Sequence, residues 1–238
     1  MILSINGALR ATAYALLVLF FVMGVMKTCG SFTELKRPEA VFKLFLRFAL
    51  AKAAISYCLQ LLTALFRIAQ SAATTIIGAS GFGSTVPMEL PERITEIIQE
   101  VSLLESIPLW AVTLLGSVMV WVLSVVMVLT VYSRFFKLYI ATAIAPIPLA
   151  AFGGEPSSSM GKAFLKTYVA ICLEGCVIVL ACVIFSKFAT TTPVISDDTL
   201  SPATVVWSYL GQLLFHMLIL VSTVKMSSQL VRELMGLG

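Results

Sequence analysis

The stretch RFFKLYIATAIAPIPLAAFGGEPSSSMGK, residues 134–162, decides how this chain folds. Its apolar part, residues 138–152, has 15 residues, whereas a helix needs about 20 to cross the hydrocarbon core of a bilayer. Pro146 and Pro148 lie at its centre, and each removes a backbone donor and disfavours helix at the preceding residue. This pattern predicts a broken segment, and the topology depends on whether it crosses the membrane or enters and returns.

The composition is that of an integral membrane protein. Hydrophobic residues make up 59% of the 238 residues and charged residues only 12%, where soluble domains have about 25%. The net charge of +4 does not imply nucleic-acid binding, because the cations stand in short runs beside apolar stretches, where orientation signals belong. A single membrane domain over residues 1–238 uses nearly the whole chain.

Five apolar stretches are long enough to cross a bilayer as helices, at about residues 9–26, 48–68, 108–132, 163–188 and 202–224. The second belongs to a longer predicted helix, from Pro38 toward Ile77, which should project from the bilayer. The first resembles a signal peptide, but Lys27 follows it in place of a cleavage site, so we expect it to be retained. The predicted fold class is an all-α polytopic membrane protein.

The cations favour a broken segment that enters the membrane and returns, a re-entrant segment. With residues 138–152 re-entrant, twelve cations are cytoplasmic and four lie outside or at the outer boundary; if they cross, the split is 7 to 9, against the positive-inside rule. The re-entrant arrangement has the N-terminus outside and the C-terminus in the cytoplasm. Its cytoplasmic cations are Lys27, Lys36, Arg37, Lys43, Arg47, Lys52, Arg134, Lys137, Lys162, Lys166, Lys225 and Arg232.

Broken backbone at membrane depth has to be buried in protein or line a wet cavity, because lipid cannot satisfy its amides and carbonyls. We therefore expect the re-entrant turn at Pro146 and Pro148 to lie against other helices or other subunits. A pair of interfacial helices that lie flat on the membrane is the alternative.

Residues 91–106, PERITEIIQEVSLLES, predict an amphipathic helix on the outer side. Pro91 and the early glutamates fit a helix start. Because this helix is acidic, whereas interfacial helices that bind anionic lipid are usually basic, we expect it to pack on the outer ends of the spans or to form a rim in an oligomer.

Two predicted spans carry polar side chains along one helical face. In a membrane such faces turn toward protein or water. They indicate a solvated pathway or a subunit seam, or simple packing between helices. The polar positions are Lys52, Gln60, Arg67 and Gln70 on the second predicted helix, and Gln212 and His216 in the fifth span.

Glu174 lies near the middle of the fourth span and has no charged neighbour in sequence. A carboxylate there needs a partner or a bound proton. His216 falls at a similar depth, and Lys166 lies about two turns toward the cytoplasm, so either is a candidate partner. A lone acidic group favours a polar lock that fixes helix packing over an element of a proton relay.

The sequence contains no arrangement of residues typical of catalysis, of a cofactor site or of a metal site. It has one His, no HExxH or G-x-S-x-G motif, and no CxxC pair. We expect a protein that is not an enzyme and needs no cofactor.

Residues around the broken segment resemble a known family. They are YSRFFK at 132–137, IAPIPLA at 144–150, the small polar linker 153–159 and GKAFLK at 161–166. These are similar to the TrbL-like family of polytopic inner-membrane proteins of type IV secretion and conjugal transfer, in which a basic residue after a long span precedes an APxxLA-like turn and a small-residue linker. Elsewhere the chain is similar to that family only in its layout of spans.

The resemblance implies a structural, channel-forming subunit of a conjugative secretion complex in the bacterial cytoplasmic membrane. The implied partners are further copies of the chain, other membrane components and ATPases of the system, membrane lipids and, transiently, the transferred DNA–protein substrate. Two alternatives stay open. One is a small secondary transporter or ion channel that uses Glu174, although no inverted repeat is found. The other is a phage-type or accessory membrane protein of another assembly.

Overall fold

The computed structural model describes residues 2–29, 38–81, 103–191 and 202–237 of the chain, and within these ranges all regular structure is helical. The predicted all-α class is confirmed. The elements are α1 (Ile2–Cys29), α2 (Pro38–Ser56), α3 (Cys58–Ser80), α4 (Leu103–Ile144), α5 (Pro146–Ala150), a 3-10 turn (Ala151–Gly153), α6 (Ser158–Thr191) and α7 (Pro202–Leu234). The amphipathic helix predicted at 91–106 falls mostly outside the described residues, which resume at Leu103.

Within the described part of the chain, five helices have the length and apolar composition to cross a membrane, as predicted. Their apolar portions are Ser4–Lys27, Cys58–Ser80, Trp110–Ile144, Ser158–Phe188 and Thr204–Leu234. The third differs most from the prediction, because α4 continues past Tyr132 to Ile144. No Gly or Pro interrupts this part of the sequence before Pro146, so nothing in the backbone ends the helix earlier.

The long helix predicted from Pro38 is observed as α2 and α3, which are separated only at Tyr57. The Tyr57 N–H donates to the Ala53 carbonyl at 2.9 Å, and the Leu61 N–H donates to the Tyr57 carbonyl at 3.0 Å. Helical hydrogen bonds therefore continue through the break. The Ser56 hydroxyl donates to the Lys52 carbonyl at 2.9 Å, a back-bond of the kind that bends helices.

The broken segment is packed against α1 and α2. Ala145, Leu149 and Ala150 are at most 1% exposed, and Pro146 and Pro148 are buried as well. Burial of this segment in protein was expected from its broken backbone, and it is observed.

α1 runs along the broken segment from one end to the other. The Asn6 amide donates to the Thr142 carbonyl at 2.9 Å, and Gly24 lies against Gly154. Between these two contacts Leu17, which is 1% exposed, packs on Gly153. The N-terminal part of α1 is thus beside the end of α4, and its C-terminal part is beside the turn into α6.

The structure differs from the prediction on where the chain turns back. The sequence places a turn at Pro146 and Pro148, but Ala145 has right-handed helical φ and ψ, and the Leu149 N–H donates to its carbonyl at 3.2 Å. Proline is tolerated in the first turn of a helix, where its missing N–H has no partner to lose. The backbone leaves the helical region at Gly154, with φ −112° and ψ 145°, and turns over residues 154–157.

The chain divides into two compact units. The first contains Met1–Ala72, Ser133–Cys176 and Ser228–Gly238, and the second contains Ala73–Tyr132 and Val177–Ser227. The broken segment and Glu174 belong to the first unit, and His216 belongs to the second.

Replacing Gly154 by Ala should destabilise the first unit, because an added Cβ would lie 2.5 Å from the backbone oxygen of Phe20. A backbone atom cannot move aside as a side-chain end can, so we expect a loss of about 1–3 kcal/mol in unfolding free energy, measured by denaturant titration in micelles. Gly24→Ala is the control, since its Cβ would meet no atom closer than 3.6 Å. Equal stability of the two variants would contradict the close packing of α1 on the turn.

Candidate functional site

An arginine joins α4 to α6 in the first unit. The half-buried Arg134 donates from Nε to the Ile171 carbonyl at 3.2 Å and from Nη2 to the Cys172 carbonyl at 3.3 Å. Both carbonyls lie in a helix interior, and each has a second lone pair available for a further donor. The guanidinium also lies over the Phe135 ring, 5.5 Å from its centroid. One cation thus fixes the register between two candidate spans.

Gly175 allows this close approach, because a Cβ at that position would overlap the Arg134 guanidinium. Glycine inside a helix costs about 0.5–1 kcal/mol relative to alanine, so a mid-helix glycine indicates a contact that a side chain would prevent. From the sequence, Arg134 was expected to act only as an orientation signal, and its contact with α6 was missed. The signal that was present is the lone glycine in the middle of an apolar span.

Glu174 lines a cavity of about 170 Å³ between α4, α6 and α7. This residue is only 6% exposed, whereas Lys137, Thr167 and Arg232 are exposed, so Glu174 forms the floor of the cavity and the two cations its rim. The full lining is Lys137, Thr167, Ala170, Ile171, Glu174, Ser228 and Arg232. We call this space the Glu174 cavity.

From the sequence, Lys137 and Arg232 were expected only to be orientation signals. In the structure they line the same cavity as Glu174. Among the described residues the ion pair within 4 Å joins Arg47 and Glu155, at 3.1 Å. The carboxylate of Glu174 therefore has opposite charges across an open space and not in direct contact. A charge that is buried without a close partner raises the free energy of the folded protein. A group of opposite charge that binds in the Glu174 cavity would lower it.

The structure places the two residues expected as partners of Glu174, Lys166 and His216, differently. The Lys166 side chain is exposed and does not line the Glu174 cavity. The hydrogen bond between Glu174 and His216 stays a prediction, because the two residues belong to separate compact units.

His216 lies within an aromatic cluster of the second unit and is 8% exposed. Its ring centroid is 6.2 Å from that of Phe185, 5.7 Å from that of Phe188 and 6.2 Å from that of Phe215. The first two contacts are edge-to-face, the geometry that aromatic quadrupoles favour. Gln212, one turn earlier on α7, is half-buried. The polar positions predicted on the fifth span are thus drawn into the protein.

The predicted polar face of the second span is instead on the surface of the chain. Lys52, Gln60, Arg67 and Gln70 are all exposed. The opposite side of the same helical path is buried, with Ile55, Cys58 and Leu62 inaccessible. Ser56, one helical turn after Lys52, is half-buried, and its hydroxyl lies 3.0 Å from that of Tyr14.

Two polar groups of α1 are buried and lack partners among the described residues. They are the Asn6 side-chain oxygen and the Arg10 Nε. Asn6 is fully buried and uses its amide nitrogen on Thr142, so it contributes to the register of α1 on α4. Arg10 is one of the four cations that the sequence places outside or at the outer boundary, and Asn6 was not singled out.

Replacing Gly175 by Ala should displace the Arg134 side chain and lower the stability of the first unit. We expect a net loss of about 1–3 kcal/mol, in spite of the better helix propensity of alanine, because two hydrogen bonds from a charged donor are broken. Thermal unfolding in micelles measures the effect. Gly211→Ala on α7 is the matched control, since no atom lies within 4 Å of its added Cβ. If Gly175→Ala is as stable as Gly211→Ala, Arg134 does not hold α4 to α6.

Comparison with known families places the chain. The model of the family described as TrbL/VirB6 plasmid conjugal transfer like protein matches residues 16–146, which is more than half of the chain. No curated protein and no solved structure gives a match. The matched region contains α2, α3 and α4, and it overlaps the residues around Pro146 on which the sequence resemblance rests. The chain, with its five apolar helices, therefore belongs to the TrbL/VirB6-like family of membrane proteins of conjugal transfer and type IV secretion.

Proposed function

We propose that this chain is a structural subunit of a conjugative type IV secretion complex in the bacterial cytoplasmic membrane. Several copies assemble and help to form the path along which DNA and protein cross that membrane. The family match supports a role in such a system. The other membrane components and the ATPases of the system are the proposed partners, together with the transferred substrate, and the chain itself carries out no catalysis.

The observation that carries this proposal is the exposed polar face of α3. The candidate span Cys58–Ser80 presents Gln60, Arg67 and Gln70 at its surface. Against lipid this face is unfavourable, since an arginine at the centre of a spanning helix costs about 2.5–3.5 kcal/mol on insertion scales. Water in a pathway, or the polar face of another subunit, removes that cost. An assembly of several copies around a solvated path supplies both.

The length of α4 supports assembly independently. Its apolar portion, Trp110–Ile144, has 35 residues and is roughly 52 Å long at 1.5 Å per residue. The hydrocarbon core is about 30 Å thick, so an upright α4 would carry apolar surface beyond it. Large side chains along this helix are exposed, among them Trp110, Trp121 and Leu129. Neighbouring subunits can cover the part that lipid does not reach, and tilt can account for some of the remainder.

The proposed topology has the N-terminus outside and the C-terminus and linker 153–159 in the cytoplasm. The contacts of α1 impose a condition on the re-entrant segment. Asn6 and Gly24 are roughly 27 Å apart along α1, and they contact Thr142 and Gly154. If α1 crosses the bilayer with its N-terminus outside, Gly154 lies near the cytoplasmic end of α1 and Thr142 near its outer end. Residues 142–154 then pass from one side to the other beside α1, so a segment with both ends in the cytoplasm requires an α1 that does not cross.

Single cysteines test this topology in a background without the native ones. Ser159→Cys should react with an impermeant maleimide only from the cytoplasmic side, because it ends the predicted linker and lies in the first turn of α6. Ser4→Cys should react only from outside. Both positions are exposed, so burial will not mask the reaction. Labelling of Ser159→Cys from outside would overturn the orientation. Labelling of Ser4→Cys from the cytoplasm would show that α1 does not cross.

Changing the polar face of α3 should weaken assembly. Gln60→Leu with Gln70→Leu removes two polar side chains, and polar interactions between membrane helices contribute about 0.6–1.7 kcal/mol each. We expect the association constant to fall roughly 3- to 20-fold for each polar interaction removed, measured as complex mass by light scattering in detergent, with a matching fall in conjugation frequency. Ile68→Leu on the same helix, where the side chain is 67% exposed and apolar, is the control.

A wild-type protein that is monomeric and takes up a small solute in a Glu174-dependent way would contradict the proposal. That outcome would favour the transporter alternative. If the Gln60→Leu, Gln70→Leu double variant keeps the complex mass and the conjugation frequency of the wild type, the polar face of α3 lies neither at the subunit seam nor on the transfer path.

A further inference from the structure

We propose that the Glu174 cavity binds the head group of an aminophospholipid of the phosphatidylethanolamine type. This inference concerns a lipid site on the chain itself, and it does not rest on the proposed transfer role. It starts from a buried carboxylate that faces two cations across an open space in a protein of five apolar helices.

The order of charges in the Glu174 cavity matches the order of charges in that head group. Lys137 and Arg232 are exposed at the rim, and Glu174 is 6% exposed at the floor. In phosphatidylethanolamine the phosphate is next to the glycerol, and the ammonium group is at the tip. A lipid that enters tip first brings the ammonium to the carboxylate and leaves the phosphate between the lysine and the arginine. Each charge then has a charge-assisted hydrogen-bond partner.

The size of the cavity fits a head group better than a single ion or water molecule. Its volume is about 170 Å³, whereas one water molecule occupies roughly 30 Å³ in the liquid. The Thr167 and Ser228 hydroxyls offer further polar contacts, and Ala170 and Ile171 form an apolar wall suited to the ethylene carbons. These groups surround a zwitterion with donors, an acceptor and an apolar surface.

The surface beside the rim is suited to acyl chains. On α4, Phe136 and Ile140 flank Lys137 and are 64% and 59% exposed. On α7, Leu230 and Leu234 flank Arg232 and are 40% and 75% exposed. Basic pockets between spanning helices that bind lipid head groups are a recurrent form of lipid recognition. Here the additional carboxylate distinguishes a head group that carries an amine.

The Glu174 cavity lies beside the contact between α4 and α6 that Arg134 makes. Ile171 lines the cavity, and its carbonyl accepts the Nε–H of Arg134 at 3.2 Å. Arg134 directs its Nε and Nη2 to backbone oxygens, so these donors are not directed to the carboxylate of Glu174. The contact between the two helices is therefore made through backbone oxygens, and among the described residues the ion pair within 4 Å does not involve Glu174, which leaves the carboxylate for an incoming ammonium group.

Native mass spectrometry of the purified full-length protein tests this site, with equal amounts of phosphatidylethanolamine, phosphatidylcholine and phosphatidylglycerol added. The wild type should retain phosphatidylethanolamine in preference to both others, since choline has no N–H donor and glycerol has no charge. Glu174→Gln should abolish that preference, a change of about tenfold or more, because a hydrogen bond between charged groups is removed. Lys137→Gln and Arg232→Gln should lower retention of all three lipids.

Lys225→Gln is the matched control, because Lys225 is exposed on the same helix as Arg232 and does not line the Glu174 cavity. Lys137 and Arg232 are exposed, so their variants keep the test decisive if Glu174→Gln does not fold. Equal retention of the three lipids by the wild type would overturn the proposal. So would displacement of the lipid by water-soluble phosphoethanolamine at equal concentration, since that would identify a site for a free metabolite. An unchanged preference in Glu174→Gln would also overturn it.

Discussion

A bilayer core offers no hydrogen-bond partners, and this constraint accounts for most of what is unusual in the first unit. Where the prolines remove helical donors, the backbone is enclosed by α1 and α2. Where a cation lies within the helical region, its donors go to carbonyl oxygens of α6. Asn6 follows the same rule, since it is fully buried and its amide is bound to a carbonyl of α4. Polar groups here join helices through backbone atoms.

The class of protein and the number of long apolar helices follow from composition and segment length. The burial of Ala145, Pro146 and Pro148 follows from the broken backbone. The position of the turn could not be predicted, because two prolines in the first turn of a short helix and two prolines in a reversal have the same local sequence. It is the extended backbone of Gly154 that ends the helical path. By composition this glycine belongs to a small polar linker, whereas its main role is close packing on α1.

The candidate site, too, could be predicted from the sequence only in part. Glu174 could be singled out because a carboxylate in an apolar span is conspicuous, but its neighbours could not. Lys137 and Arg232 line the same cavity from two other helices. The periodicity of one helix carries no information on which residues of two other helices lie near it. The same cations carry the positive-inside bias that predicts the orientation. A single set of lysines and arginines can thus serve orientation during insertion and recognition after folding, and only the packed structure separates the two uses.

The contact of Arg134 with α6 has a consequence for how this family can vary. Its acceptors are the main-chain oxygens of residues 171 and 172, which every amino acid supplies. The hydrogen bonds from Arg134 therefore place no requirement on the side chains of residues 171 and 172, which contribute apolar packing instead. The contact restricts the choice of amino acid at two positions far apart in sequence, Arg134 and Gly175, because a side chain at 175 would overlap the guanidinium. Among relatives, we expect Arg134 and Gly175 to be conserved or replaced together, whereas the side chains at 171 and 172 can vary.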